Sequence, residues 1–145
     1  MTTSPADHIR LATKSDIPNL MQIRLSVREN ILSNPAKVPE SAYDPFIEQG
    51  SLWLCEQVTG KCLGFAAADL RDGSIWALFI SPEAEGRGIG QSLMAQMIGD
   101  LRRAGWQQAT LSTQPESRAA AFYQRNGWVA GGMTGGGEQI FIRPL

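Results

Sequence analysis

Histidine is almost missing from this chain: His8 is the only one in 145 residues. Cysteine is scarce as well, with Cys55 and Cys62 alone, so no Cys/His cluster exists to hold a metal and zinc chemistry is set aside. The two cysteines flank an expected hairpin turn. Met1 to Asp7 has neither a basic start nor an apolar core, so no signal peptide is expected, and the thiols are read as reduced. No apolar run approaches the roughly 20 residues that cross a bilayer. An excess of either charge is also lacking. Thirteen Lys and Arg stand against 14 Asp and Glu, a net charge of −1, which gives no electrostatic footprint for nucleic acid or an anionic membrane. Repeats, linkers and low-complexity segments are absent. The remainder is 43% hydrophobic and 19% charged, a globular mixture of a length that suits one domain, 1–145, with one core. A cytoplasmic location is the expectation.

What is present is organised around Ser74 to Met94, SIWALFISPEAEGRGIGQSLM. The apolar, β-favouring run Ile75 to Ile80 predicts a buried strand, which Ser81-Pro82 ends because proline cannot donate to a sheet ladder. Gly86, Gly88 and Gly90 follow at alternate positions, with Arg87 and Ile89 between them. Leu93, Met94, Met97, Ile98 and Leu101 then form one apolar helical stripe. A strand, a glycine turn and a helix start make an anion site. The glycines admit close backbone approach, the first helical N–H groups are unpaired, and Arg87 adds charge. A Walker loop would need Gly-Lys-Ser/Thr, but the chain has Gly90-Gln91-Ser92. A dinucleotide fingerprint starting at Gly86 would need a glycine at position 91, which is Gln91.

Around this stretch the pattern predicts a first strand at His8 to Ala12 and a helix from about Asp16 to about Ser33. The stripe of that helix is Ile17, Leu20, Met21, Val27 and Ile31, with Arg24 inside it. Arg24, Arg28 and Glu29 read either as a polar wall facing a substrate or as snorkelling and paired helix charges. Lys37 to Gly50 reads as a short helix or ordered loop. Leu52 to Glu56, Cys62 to Ala68 and the central strand form an antiparallel meander, turned at Thr59-Gly60 and Asp72-Gly73. Ala109 to Thr113 is a fifth strand, reached by a helical crossover and so parallel to the fourth. A helix from Arg118 to about Arg125 ends at Asn126-Gly127. Trp128-Val129 and Ile140 to Ile142 are two last strands around a glycine-rich loop.

Glu85-x-x-Gly88-x-Gly90 resembles motif A of the GCN5-related N-acetyltransferase (GNAT) family, with both glycines matching and Glu85 in place of the usual Gln or Arg. Ala119-x-x-Phe122-Tyr123 followed by Asn126-Gly127-Trp128 resembles its motif B, and Ile9 to Pro18 resembles the usual opening of these proteins. The resemblance runs through nearly the whole chain in the family order. It implies an α/β GNAT-like fold: a mixed, splayed central sheet of about seven strands flanked by about four helices. It also implies an enzyme that moves an acetyl group from acetyl-CoA, as co-substrate, to a primary amine by direct attack.

On that resemblance the coenzyme pyrophosphate would lie on Gly86, Arg87, Gly88, Ile89, Gly90 and Gln91. Leu78, Phe79 and Ile80 would line its arm, and the Ile80 N–H would polarise the thioester carbonyl. Tyr123 would protonate the departing thiolate. The base would be Glu29, Asp69 or a water chain. Glu116 stands where many members carry an asparagine near the arm. The acceptor, a small-molecule or protein amine, would meet a wall running from Arg24 to about Phe46. A homodimer is compatible with the family. The alternative reading is a non-catalytic acyl-CoA-binding sensor or interaction module on the same fold, suggested by Glu85 and Glu116.

Overall fold

The structure, a computed structural model, describes residues 7–27 and 38–145. In chain order the elements are β1 (Asp7–Leu11), α1 (Ile17–Ser26), α2 (Asp44–Gln49), β2 (Leu52–Gln57), β3 (Cys62–Asp69), β4 (Ser74–Ile80), α3 (Ile89–Arg103), β5 (Gln108–Thr113), α4 (Arg118–Arg125), β6 (Val129–Met133) and β7 (Gln139–Pro144). The strands form one mixed seven-stranded sheet in the order β1-β2-β3-β4-β5-β7-β6. This is the expected α/β architecture, with the meander β2-β3-β4 antiparallel and β5 parallel to β4. The pairing of β7 between β5 and β6 is a finding of the structure.

Helix α1 ends earlier than its apolar stripe suggests. Val27 is extended (φ −83°, ψ 114°), and the Ser26 hydroxyl donates to the Ile23 carbonyl at 2.7 Å, so its oxygen competes with the helical ladder. The last stripe position, Ile31, and the polar candidates Arg28 and Glu29 lie outside the described residues. Helix α2 stops where Gly50 takes the left-handed conformation (φ 70°), as the glycine predicts.

Strand β3 is buried on both faces and divides the core. Leu63, Ala66 and Ala68 face α3 and α4 with Leu93, Met97 and Leu101, while Phe65 and Ala67 face α1 and α2 with Leu20, Tyr43 and Phe46. Three consecutive alanines let helices approach the sheet closely from either side. The Trp53 indole N–H donates to the buried Asp100 carboxylate at 2.7 Å, and Arg103 pairs with the same carboxylate at 2.6 Å, which fixes the azimuth of α3 over β2.

Two irregularities shape the centre of the sheet. Ala67 and Ala68 on β3 pair with Ala77 and Ile75, so Trp76 is a bulge residue without a partner. The bulge switches sides: Ile75 packs toward α3, whereas Trp76 and Ala77 pack toward α1 and α2. Beyond it, β4 and β5 separate. Their only registered pair is Ser74↔Thr110, and β5 runs its full length against β7 on its other edge.

Cys55 and Cys62 are both free thiols. Burial pushes each up to about 11, which keeps them protonated at neutral pH. Among the described residues no three His, Cys, Asp or Glu side chains group as metal ligands, and no helix is long and apolar enough to cross a membrane.

Glu116, in the loop before α4, holds a positive φ of 58°. For a side chain that does not hydrogen-bond locally this conformation costs roughly 1–2 kcal/mol, whereas asparagine tolerates it. Glu116→Asn is therefore expected to stabilise the fold by about 1 kcal/mol, seen as a higher midpoint in urea unfolding with an unchanged slope. A lower midpoint would contradict the assigned backbone strain.

Candidate active site

The site begins at the N-terminus of α3. Gly88 is its N-cap, in the left-handed region (φ 79°, ψ 10°), and no side chain caps the helix. The Ser92 N–H closes the first turn on the Gly88 carbonyl at 3.1 Å. The preceding donors, on Ile89, Gly90 and Gln91, have no place in the helical ladder, and the aligned dipole of a 15-residue helix stands behind them. Gly86 also has a positive φ (80°), and a Cβ there would meet nothing within 4 Å, so its requirement is conformational. Gly90 differs. A Cβ on it would lie 3.2 Å from Phe122 Cζ, so this glycine lets α4 rest against the start of α3.

Arg87 behaves otherwise than its position in the turn suggests. Its guanidinium is drawn to the buried Asp7 carboxylate of β1, with Nη1 3.6 Å from Oδ2. Arg87 is thus shared with Asp7, and the unpaired backbone donors at the start of α3 are the turn's other candidate anion partners. Glu85, the departure from motif A, pairs with Arg118 at the start of α4 at 2.5 Å. That contact spans 33 positions in sequence, which is why no local pattern signals it. It balances the negative charge and ties the turn after β4 to the turn after β5.

The second part of the site is the free edge of β4. The Ser81 N–H donates to the Leu63 carbonyl at 2.8 Å. In an antiparallel ladder donors alternate between the two sides, so Phe79 and Ala77 turn theirs toward β3, and Leu78 and Ile80 turn theirs toward β5. β5 has already diverged and offers these two no ladder partner. The side chains follow the opposite division of faces: Leu78 and Ile80 pack toward α3, and Phe79 toward α1 and α2.

Tyr123 of α4 is buried in the same core cluster that Leu78 and Ile80 pack against. Its ring contacts Phe122 and Trp128, each with centroids 5.6 Å away, and Phe141 at 6.2 Å. Burial raises the pKa of its hydroxyl above the ordinary phenol value, so it carries its proton at neutral pH. No acceptor among the described residues meets that hydroxyl. The helix under it is capped by Ser117, whose Oγ accepts from the Ala120 N–H at 3.0 Å.

On the opposite face of β4, Arg24 reaches from α1 over two aromatic rings. Its Cζ is 4.7 Å from the Phe79 centroid and 5.4 Å from that of Trp76. Phe46 stacks on Trp76 at 4.2 Å, and Tyr43 meets it edge-on at 5.0 Å. Of the two expected bases, Glu29 lies outside the described residues. Asp69 closes the far end of β3, where Arg71 donates to it at 2.8 and 2.9 Å. Arg71 holds its carboxyl below the usual range, and Ile80 lies at the other end of the adjoining strand, so Asp69 serves a turn.

Comparison with known proteins bears on this geometry. A family profile described as "Acetyltransferase (GNAT) domain" matches residues 48–130, from the end of α2 to β6. An uncharacterized N-acetyltransferase, ycf52, of Pyropia yezoensis is 32% identical over 82 residues, which cover 54% of this chain and 46% of that protein. The chain spans about half the length of the curated relatives it matches. Among solved structures, a GNAT-family acetyltransferase from Staphylococcus aureus Mu50 superposes with a TM-score of 0.83 at 19% identity, covering 97% of this chain and 99% of that one. A phosphinothricin acetyltransferase from Sinorhizobium meliloti, solved in complex with AcCoA, gives 0.76 at 20% identity over 97% and 89% of the two chains. These structures share the fold, and the profile covers more than half of the sequence including the glycine turn and Tyr123. The chain belongs to the GNAT acetyltransferase family.

Proposed function

We propose that the protein transfers the acetyl group of acetyl-CoA to a primary amine by direct attack in a ternary complex. The observation that carries this reading is the pair of backbone donors on Leu78 and Ile80, which face a gap between strands that converges on the uncapped start of α3. A pantetheine arm is an extended chain with amide groups, and it suits a strand edge that lacks its neighbour. A pyrophosphate suits the N–H groups of Ile89, Gly90 and Gln91. The structural neighbour from Sinorhizobium meliloti, solved with AcCoA, supports the same co-substrate.

In this reading the amine arrives from the α1/α2 side, and its lone pair attacks the thioester carbonyl carbon. A C–N bond forms, and the carbonyl electrons move onto oxygen, toward the Ile80 N–H. Their return expels the thiolate, which takes the Tyr123 proton as the C–S bond breaks. The amine releases its own proton to Glu29 or to water. The alternative, a module that binds acyl-CoA without turnover, draws on Glu85 and Glu116. The Glu85–Arg118 pair removes the electrostatic ground for the first.

Gly88→Val forces a branched side chain into a left-handed N-cap at the phosphate position. Calorimetry should register a loss of acetyl-CoA affinity of tenfold or more while the protein stays folded. Full affinity in the folded variant would move the pyrophosphate elsewhere.

Tyr123→Phe should bind acetyl-CoA normally and release coenzyme A about 10²–10⁴-fold more slowly. Because burial raises the phenol pKa, the wild-type rate should show no loss attributable to tyrosine ionisation below about pH 10. Equal single-turnover rates in the two proteins would remove Tyr123 from the chemistry.

A further inference from the structure

The α1/α2 face of β4 holds two buried polar atoms without hydrogen-bond partners: Nη1 of Arg24 and the hydroxyl of Tyr43. Tyr43 is 0% exposed. Buried unsatisfied donors are rare and costly, and a guanidinium loses more than a neutral group when left unpaired. The two are near enough that Arg24, as a cation and as a donor facing the hydroxyl, opposes the burial-driven rise in the Tyr43 pKa, although the contact falls short of full hydrogen-bond geometry. Both meet Trp76, and Arg24 also lies over Phe79; the two aromatics belong to the strand whose free edge presents the Leu78 and Ile80 donors.

Packing alone accounts poorly for Arg24. Stacking over aromatic faces satisfies the charge in part, but it leaves N–H groups that lie in the ring plane unused. The other cation on this cluster, Arg71, whose Cζ is 5.8 Å from the Phe46 centroid, is already spent on Asp69. Among the described residues no carboxylate pairs with Arg24, whose charge is flanked by one hydroxyl and floored by aromatic rings. A planar monoanion matches that set: two oxygens for the guanidinium fork, with the hydroxyl as an additional donor.

We infer that Arg24 and Tyr43 bind a carboxylate on the acceptor, so that the substrate class is amines that also carry a carboxylate, such as free amino acids. The inference rests on the acetyl-transfer reading above and adds to it the chemical class of the acceptor. The guanidinium holds the carboxylate against the α1/α2 face, and the amine of the same molecule is directed toward the free edge of β4.

The test uses matched probes: the L-amino acids and their C-terminal amides, with O-phosphoethanolamine as the dianionic comparison. Coenzyme A release gives the rates, and the Trp76 indole N–H resonance reports occupancy of the face independently of turnover. Wild-type protein should favour acids over amides by about tenfold or more in kcat/KM. Acids, and not amides, should shift the Trp76 resonance. Arg24→Gln should raise KM for the acid toward that of its amide while leaving acetyl-CoA affinity unchanged. Arg24→Lys, which keeps the charge without the fork, should retain part of the preference, and Tyr43→Phe should weaken it. Amides used as well as acids, a preference that survives in Arg24→Gln, or no acid-dependent response in either readout would overturn the inference. A stronger response to O-phosphoethanolamine would replace carboxylate by phosphate. Failure of acetyl-CoA to bind would instead overturn the acetyl-transfer reading.

Discussion

Backbone donors inside a sheet need partners, and the central strand of this protein has two that its neighbours do not take. Leu78 and Ile80 point their N–H groups away from β3, into the gap where β5 has diverged. The divergence has two physical causes. The bulge at Trp76 re-aims the end of β4, and β5 finds a complete ladder with β7 on its other edge. The rest of the molecule is arranged around that gap. α3 follows it with uncapped donors, Tyr123 of α4 packs in the same core cluster as Leu78 and Ile80, and the Glu85–Arg118 pair joins the turns after β4 and β5. Paired throughout, β4 would be an ordinary strand with nothing to offer a ligand.

The bulge has a second consequence. By adding one residue it puts Trp76 on the same face as its neighbour Ala77, in the aromatic group of Tyr43, Phe46 and Phe79 under Arg24. In the proposed reaction the same irregularity would open a slot for an extended chain on one edge and build a floor for a second molecule on one face. A two-substrate reaction needs such a division, because both reactants must reach one carbonyl from different sides.

Much of this was legible in the sequence. The strand, glycine turn and helix from Ser74 onward, and the short helix with Tyr123, carry their own local signals: β-branched and aromatic runs, a breaker, helical periodicity and caps. The meander was readable because its turns are Thr59-Gly60 and Asp72-Gly73. What escaped was non-local. The insertion of β7 beside β5 depends on which edge is free, the Glu85–Arg118 pair joins distant turns, and Gly90 is small because Phe122 lies against it. Arg87 looked like a phosphate ligand because it sits among glycines, but a buried Asp7 competes for it. α1 was overextended because periodicity does not register the Ser26 hydroxyl bond that accompanies its end.

The central claim is that the coenzyme occupies the free edge of β4 and the first turn of α3. Amide resonances followed by NMR during titration with acetyl-CoA test it most directly. The account predicts that the N–H signals of Leu78, Ile80, Ile89, Gly90 and Gln91 shift downfield together with one dissociation constant and become protected from hydrogen exchange. Those of Phe79 and Ala77, already bonded to β3, should move far less. Saturable binding that leaves these five signals in place and perturbs another surface would contradict it.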